Sequence, residues 1–217
     1  MSFPDWSLQP ATVFSTSPVI PVIVIKDLAH TIPLATALLA GGINVLEVTL
    51  RTAIALDAVK LLTRTFPQAL VGVGTVSTPD QLQQAIDVGA KFAISPGQTN
   101  ALLKAGLEGD IPLIPGIASV SELMAGLSLG YTHFKFFPAA AAGGVQMLRA
   151  MYGPFPQARF CPTGGINEEN YRDYLALPNV SCVGGSWIVP DEALNKENWP
   201  LISTLSQSVQ KELPNIR

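Results

Sequence analysis

Short apolar runs rich in β-branched residues recur along the chain, and segments of helical period lie between them. The runs begin at Val19 (VIPVIVI), Val45 (VLEVTL), Leu70 (LVGVGTV), Phe92 (FAISPG), Leu113 (LIPGI), His133 (HFKFFP), Arg159 (RFCPTGG) and Ser181 (SCVGGSW). Their starts lie roughly 20–26 residues apart, the length of one strand, one helix and two short loops. Leu28 to Ala40 has helical spacing and meets a stop at Gly41-Gly42. Thr52 to Thr65 predicts a second helix. Ser77-Thr78-Pro79-Asp80 opens a third, with proline early in its first turn. Ser119 to Leu127 predicts a fourth, with Ser121-Glu122 in its first turn. Eight strands alternating with helices predict an α/β chain folded as a (β/α)8 TIM barrel, near the small end of that fold's size range. No Ser/Gly linker divides the chain, so residues 1–217 are expected to form a single domain. Within it, 1–17 is an N-terminal helical flanking segment and 199–217 a C-terminal helix. The competing architecture is an open doubly wound sheet. It is weakened because no strand leads into G-x-G-x-x-G with a later acidic residue.

Alternation of side chains then sorts the polar residues. In the second strand Val45, Glu47, Thr49 and Arg51 share one face, and Leu46, Val48 and Leu50 the other. The all-apolar face meets the helices, so Glu47 and Arg51 point into the barrel. The same parity groups Lys135 with His133 and Phe137, Thr75 with Val73, and Thr163 with Cys161. Glu47, Arg51, Thr75, Ser95, Lys135, Thr163 and Ser186 all fall in the middle or C-terminal half of their strands, the active-site end of this fold.

Lys135 carries the most information. Burial disfavours a lysine ammonium, and a neutral lysine is a nucleophile towards carbonyls. Alternatively, Lys135 lies at a strand end and snorkels to solvent. The convergence of polar residues at one end favours chemistry. Glu47 and Arg51 have a structural alternative as members of buried ion pairs, which are often marginal for stability. Thr75 and Thr163 have one as turn residues. Gly164-Gly165 and Gly184-Gly185-Ser186 follow the last two strands, where glycines let backbone N–H groups approach an anion such as a phosphate. Tight turns are the alternative there.

Composition narrows the classes. The chain has 217 residues and a formal net charge of −3, without a basic block, which argues against nucleic acid as a partner. Hydrophobic residues make up 48% and charged residues 13%, suggesting burial at subunit contacts as well as in the core. Apolar stretches are broken before membrane-spanning length, and MSFPDWSLQP does not read as a signal peptide. Cys161 and Cys182 lack metal-like spacing, which fits reduced thiols in a cytoplasmic protein. His30 and His133 are the only histidines, so no metal-ligand cluster is apparent. A serine triad lacks a credible base. A lysine, a carboxylate and an anion clamp remain.

These residues carry a family resemblance. Leu46-Glu47-Val48-Thr49-Leu50-Arg51-Thr52, Gly72-Val73-Gly74-Thr75-Val76, Ile94-Ser95-Pro96-Gly97, Ile114-Pro115-Gly116, Phe134-Lys135-Phe136-Phe137-Pro138-Ala139 and Cys161-Pro162-Thr163-Gly164-Gly165-Ile166 resemble the bacterial 2-keto-3-deoxy-6-phosphogluconate (KDPG) aldolases. Some of these also act on 4-hydroxy-2-oxoglutarate. The resemblance runs from about Val19 to Pro190 and departs from the pattern at Ala140, where glutamate is often found. It implies a class I aldolase with no metal or other cofactor. Its Schiff-base lysine corresponds to Lys135 and its general acid/base to Glu47. The substrate carboxylate binders correspond to Arg51 and Thr75, and the residues around the pyruvyl group to Pro96, Phe137 and Thr163. The phosphate end corresponds to Gly164, Gly165, Gly185 and Ser186. It also implies a homotrimer acting on a small keto-acid sugar phosphate. Three competing readings stay open: a phosphogalactonate-type aldolase, a sugar-phosphate binding protein without turnover, and an isomerase with Glu47 as base.

Overall fold

The computed structural model of the chain describes residues 6–210. Within them nine strands are all paired in parallel: β1 (Val19–Ile23), β2 (Val45–Thr49), β3 (Leu70–Gly74), β4 (Ala93–Ile94), β5 (Leu113–Ile114), β6 (Gly116–Ile117), β7 (His133–Phe136), β8 (Arg159–Pro162) and β9 (Val183–Gly185). Six of them form a curled sheet in the order β5-β4-β3-β2-β1-β9, and three form a second sheet, β6-β7-β8. Isolated parallel bridges, Phe160↔Val180 and Thr163↔Gly184, join β8 to the β9 side.

The expected fifth strand is therefore split. Pro115 separates β5 from β6 and has no N–H to donate. The next N–H, of Gly116, goes to the Ser95 hydroxyl at 3.2 Å rather than to a backbone carbonyl. The ladder is thus broken where a side chain takes over a backbone partner.

Among the described residues ten α-helices alternate with the strands: α1 (Pro10–Ser15), α2 (Thr31–Ala40), α3 (Ala55–Thr65), α4 (Pro79–Asp87), α5 (Asn100–Glu108), α6 (Val120–Ser128), α7 (Gly144–Tyr152), α8 (Tyr171–Leu175), α9 (Asp191–Asn195) and α10 (Trp199–Gln210). Their boundaries follow local chemistry. The Asp27 carboxylate accepts from the Ala29 N–H and starts a 3-10 turn at Leu28–His30 before α2. Thr78 caps α4 by accepting from the Gln81 N–H, with Pro79 in its first turn. A reciprocal capping box of Ser119 and Glu122 starts α6. After Gly164-Gly165 the chain turns before α8 begins at Tyr171. Asn167 and Asn170 hydrogen-bond neighbouring backbone N–H groups, the local competition that makes asparagine a turn residue. The N-terminal segment is helical in α1 and the C-terminal one in α10, and residues 1–5 and 211–217 of those segments lie outside the described residues.

Register decides which side chains face inward. Glu47 pairs with Val22 on one side and Gly72 on the other, and Thr49 with Gly74. Val48 pairs with Ile23 and Val73. Gly72 and Gly74 therefore share the Glu47 face, while Val73 faces the helices. This corrects the parity that grouped Thr75 with Val73 on the inner face. Thr75 leaves the extended conformation altogether, at φ 62°.

Candidate active site

Lys135 is the third residue of β7, and both its neighbours are buried phenylalanines. Phe134 lies against Gly126 of α6, so the alternate residue, Lys135, points inward. Glu47 is the central residue of β2, all five of whose positions are buried. The two side chains meet: Lys135 Nζ donates to Glu47 Oε1 at 3.3 Å, with 6% and 1% of their side-chain surface exposed. The other lysine–carboxylate pairs among the described residues are on the surface.

A glycine makes this pair possible. A Cβ on residue 74 would lie 2.2 Å from Glu47 Oε1, so only glycine leaves the carboxylate its position. Desolvating two charges costs several kcal/mol apiece, about as much as their attraction returns. The pair is a poor device for stability and a good one for holding an amine beside a proton acceptor.

The remaining predicted residues fall into two groups. Around the pair, the Phe137 ring centre lies 5.5 Å from Lys135 Nζ, within cation–π range. Pro96 packs its backbone against Gly116, the residue in register with Lys135. Thr163 is buried, and its N–H donates to the Phe136 carbonyl at 2.9 Å, tying it to β7. Its hydroxyl faces Gly184, where a Cβ would come within 2.2 Å of Oγ1. Gly164 and Gly165 take left-handed conformations, φ 99° and 74°, directly after Thr163. Gly164 lies against the Phe137 ring, and its carbonyl accepts from the N–H of Ala140, an exposed residue. Thr75 follows Gly74 at a positive φ that a β-branched residue adopts only under constraint.

Arg51 and Ser186 make up the second group. They border one cavity of ≈ 370 Å³, together with Val22, Lys26 and Trp187. Arg51 is exposed in the turn after β2, and no hydrogen bond or ion pair joins it to the Lys135–Glu47 pair. Gly185 belongs here too, because its Cα faces the Trp187 ring so closely that a Cβ would overlap it.

Four residues of this neighbourhood were not among the expected site residues. Gly74 was signalled by the alternating glycines of LVGVGT, on the face opposite the one chosen. Lys26 and Trp187 carried no periodic signal. Cys182 lies fully buried against Cys161, near Glu47. Burial, the hydrogen bond with Cys161 and the Glu47 charge raise its thiol well above the ordinary range, so it stays protonated. Among the described residues, no group of three or more His, Cys, Asp or Glu is placed to hold a metal ion. No helix there is long and apolar enough to cross a membrane.

A buried lysine hydrogen-bonded to a buried carboxylate, on parallel strands of an α/β fold, defines a site equipped for imine chemistry on carbonyl compounds. The family model described as "Aldolase: KDPG and KHG aldolase" matches residues 11–205. The 2-dehydro-3-deoxy-phosphogluconate aldolase of Pseudoalteromonas atlantica is 56% identical over 203 residues, covering 94% of each chain. The KHG/KDPG aldolase of Escherichia coli K12 is 55% identical, over 94% of this chain and 95% of its own. The crystal structure of KDPG aldolase from Legionella pneumophila, with pyruvate captured at low pH as a covalent carbinolamine intermediate, superposes with a TM-score of 0.94. It is 64% identical and covers 94% of this chain and 100% of that one. The chain belongs to the KDPG and KHG aldolase family.

Proposed function

We propose that this protein cleaves 2-keto-3-deoxy-6-phosphogluconate to pyruvate and glyceraldehyde 3-phosphate through an imine on Lys135, and 4-hydroxy-2-oxoglutarate to pyruvate and glyoxylate by the same route. The observation that carries the reading is the buried 3.3 Å contact between Lys135 Nζ and Glu47 Oε1. Attack on the C2 ketone needs an amine with a free lone pair, and Glu47 is the group placed to take its proton. Addition gives a carbinolamine; Glu47 returns the proton to its hydroxyl, which leaves as water and gives an iminium. Glu47 then accepts the C4 hydroxyl proton, directly or through one water. The C3–C4 bond breaks, its electron pair moves into the iminium, and the aldehyde leaves. Protonation of the enamine at C3 and hydrolysis of the imine release pyruvate and the free amine.

Arg51 and Thr75 hold the substrate carboxylate, for which a guanidinium offers paired donors. Pro96, Phe137 and Thr163 surround the pyruvyl unit. Gly164, Gly165, Gly185 and Ser186 receive the phosphate. This last assignment is supported by the left-handed backbone at both Gly164 and Gly165 and by Ser186 bordering the same cavity as Arg51.

The same reading extends to the fold and the assembly. The two sheets act as one (β/α)8 barrel. The Phe160↔Val180 and Thr163↔Gly184 bridges support closure on one side, and the single residue Pro115 between β5 and β6 supports it on the other. A homotrimer is supported by Val120 and Met124, exposed one turn apart on α6. A cytoplasmic location is supported by the two buried free thiols.

The test is intact mass after pyruvate and borohydride, with peptide mapping. One reduced pyruvyl adduct on Lys135 is expected. Absence of an adduct in folded protein would overturn the imine. Initial rates on KDPG, its C4 epimer and 4-hydroxy-2-oxoglutarate then rank the aldehyde partners.

A further inference from the structure

A second cavity, of ≈ 610 Å³, opens at the other end of the strands. His133 and Arg159, the first residues of β7 and β8, border it, as do Ser181 just before β9 and Phe14 on α1. Leu175 and Leu177 supply part of its apolar wall, and no bordering residue among the described residues is acidic. The proposed reaction uses none of these groups. The volume lies within the range of small-molecule sites, roughly 300–1,000 Å³, which combine apolar walls with a few convergent polar groups.

The polar groups here are short of partners. Arg159 donates from Nη1 alone, to the carbonyls of Pro156 at 2.7 Å and Ala158 at 3.0 Å. No carboxylate among the described residues pairs with it. Its Nε and Nη2 hydrogens remain available. His133 lies in register with Arg159. Its Nδ1 is 3.0 Å from the Thr132 hydroxyl, and the Phe14 ring meets it edge-on at 5.3 Å. Burial and the Arg159 charge lower its pKa to about 4, so at neutral pH it adds a neutral donor. A guanidinium without a counter-ion, a neutral imidazole and a serine hydroxyl, set against leucine and phenylalanine walls, match one ligand chemistry. It is a carboxylate on a compact apolar body.

We infer that this cavity is a second ligand site, binding a small organic carboxylate between Arg159 and His133 at the end of the strands opposite the Lys135–Glu47 pair. One strand repeat of two residues, about 7 Å, separates His133 from Lys135. The two sites are thus neighbouring layers of one interior.

The test uses the full chain with Lys135 blocked by borohydride reduction of its pyruvyl adduct, so that the probe meets only the second cavity. Benzoate is titrated while the His133 imidazole signals are followed by NMR. Saturable binding with Kd near or below about 1 mM is expected. Benzamide, of the same shape without the charge, should bind at least about tenfold more weakly, as loss of a charge-assisted contact predicts. Arg159→Gln should weaken benzoate to the same extent, and Leu177→Trp should exclude it by filling the wall. Both variants should retain pyruvate trapping on Lys135, which shows that they fold. No saturation, equal affinity for benzamide, or unchanged affinity in both variants would overturn the site. Should blocking Lys135 prove impossible because no adduct forms, the same titration on the untreated chain tests the cavity independently of the imine.

Discussion

Two layers along β7, one shared with β2 and one with β8, teach opposite lessons about charge withdrawn from water. In the upper layer Lys135 finds a carboxylate at 3.3 Å, and both partners are withdrawn from water. In the lower layer Arg159 has backbone carbonyls in place of a counter-ion, and its neighbour His133 gives up its charge. A charge pair that barely contributes to stability persists where the proposed reaction calls for an amine and a base. An uncompensated cation persists only where a cavity keeps it partly wet.

The sharpest way to break the comparison is Lys135→Ala. Turnover should fall to the uncatalysed level and pyruvate trapping should vanish, as read by rate assay and mass spectrometry. The variant should also lose about 3–5 kcal/mol of stability, because Glu47 is left buried and alone. Replacing both partners, Lys135→Met with Glu47→Leu, should restore most of that in urea unfolding.

Glu47→Gln should slow cleavage by about 10²–10⁴-fold yet still trap pyruvate, since the amine remains. A rate near that of the parent protein would remove Glu47 from the mechanism.

Gly74→Ala comes next. Its methyl would fall 2.2 Å from Oε1 and push the carboxylate aside. A kcat loss of about 10²-fold is expected, the cost of misplacing a catalytic group by about 1 Å. Trapping by pyruvate should persist, which separates misplacement from unfolding.

The lower layer is tested through pH and leaves catalysis aside. The folded pKa of His133, about 4, lies below its ordinary 6.5. Between those values the unfolded chain binds the extra proton, so stability rises with pH through this window. It is fully present above pH 6.5 and lost as pH falls towards 4, amounting to about 3 kcal/mol over the span. In unfolding curves taken at several pH values, His133→Phe should flatten this slope, while Glu47→Gln should leave the part due to His133 intact.

Much of the upper layer was legible from local pattern. A lysine within HFKFFP and a glutamate in an apolar alternating strand announce themselves, because solvation makes such placements rare. The lower layer was not legible. His133 and Arg159 start their strands unremarkably, and only the parallel register sets them side by side over a cavity. Thr75 misled for a related reason. Alternation holds only while the backbone stays extended, and Thr75 turns away at φ 62°. Arg51 shows the same limit of parity: it lies in the turn after β2, where alternation no longer fixes a side chain's direction, and the fold sets it on a cavity with Ser186.

The chain alone determined the alternation of strands and helices, the inward faces of β2 and β7, and the identity of the lysine and the glutamate. Those follow from side-chain periodicity and the cost of burying charge, which act over a few residues. The tertiary structure decided the rest. It brought Lys135 within reach of a carboxylate 88 residues away in sequence. It cleared space for that carboxylate at Gly74, diverted the Gly116 N–H to Ser95, and left Arg159 without an acidic partner among the described residues. Each of these depends on which strands become neighbours and in what register, a long-range choice made by the packing of the whole core.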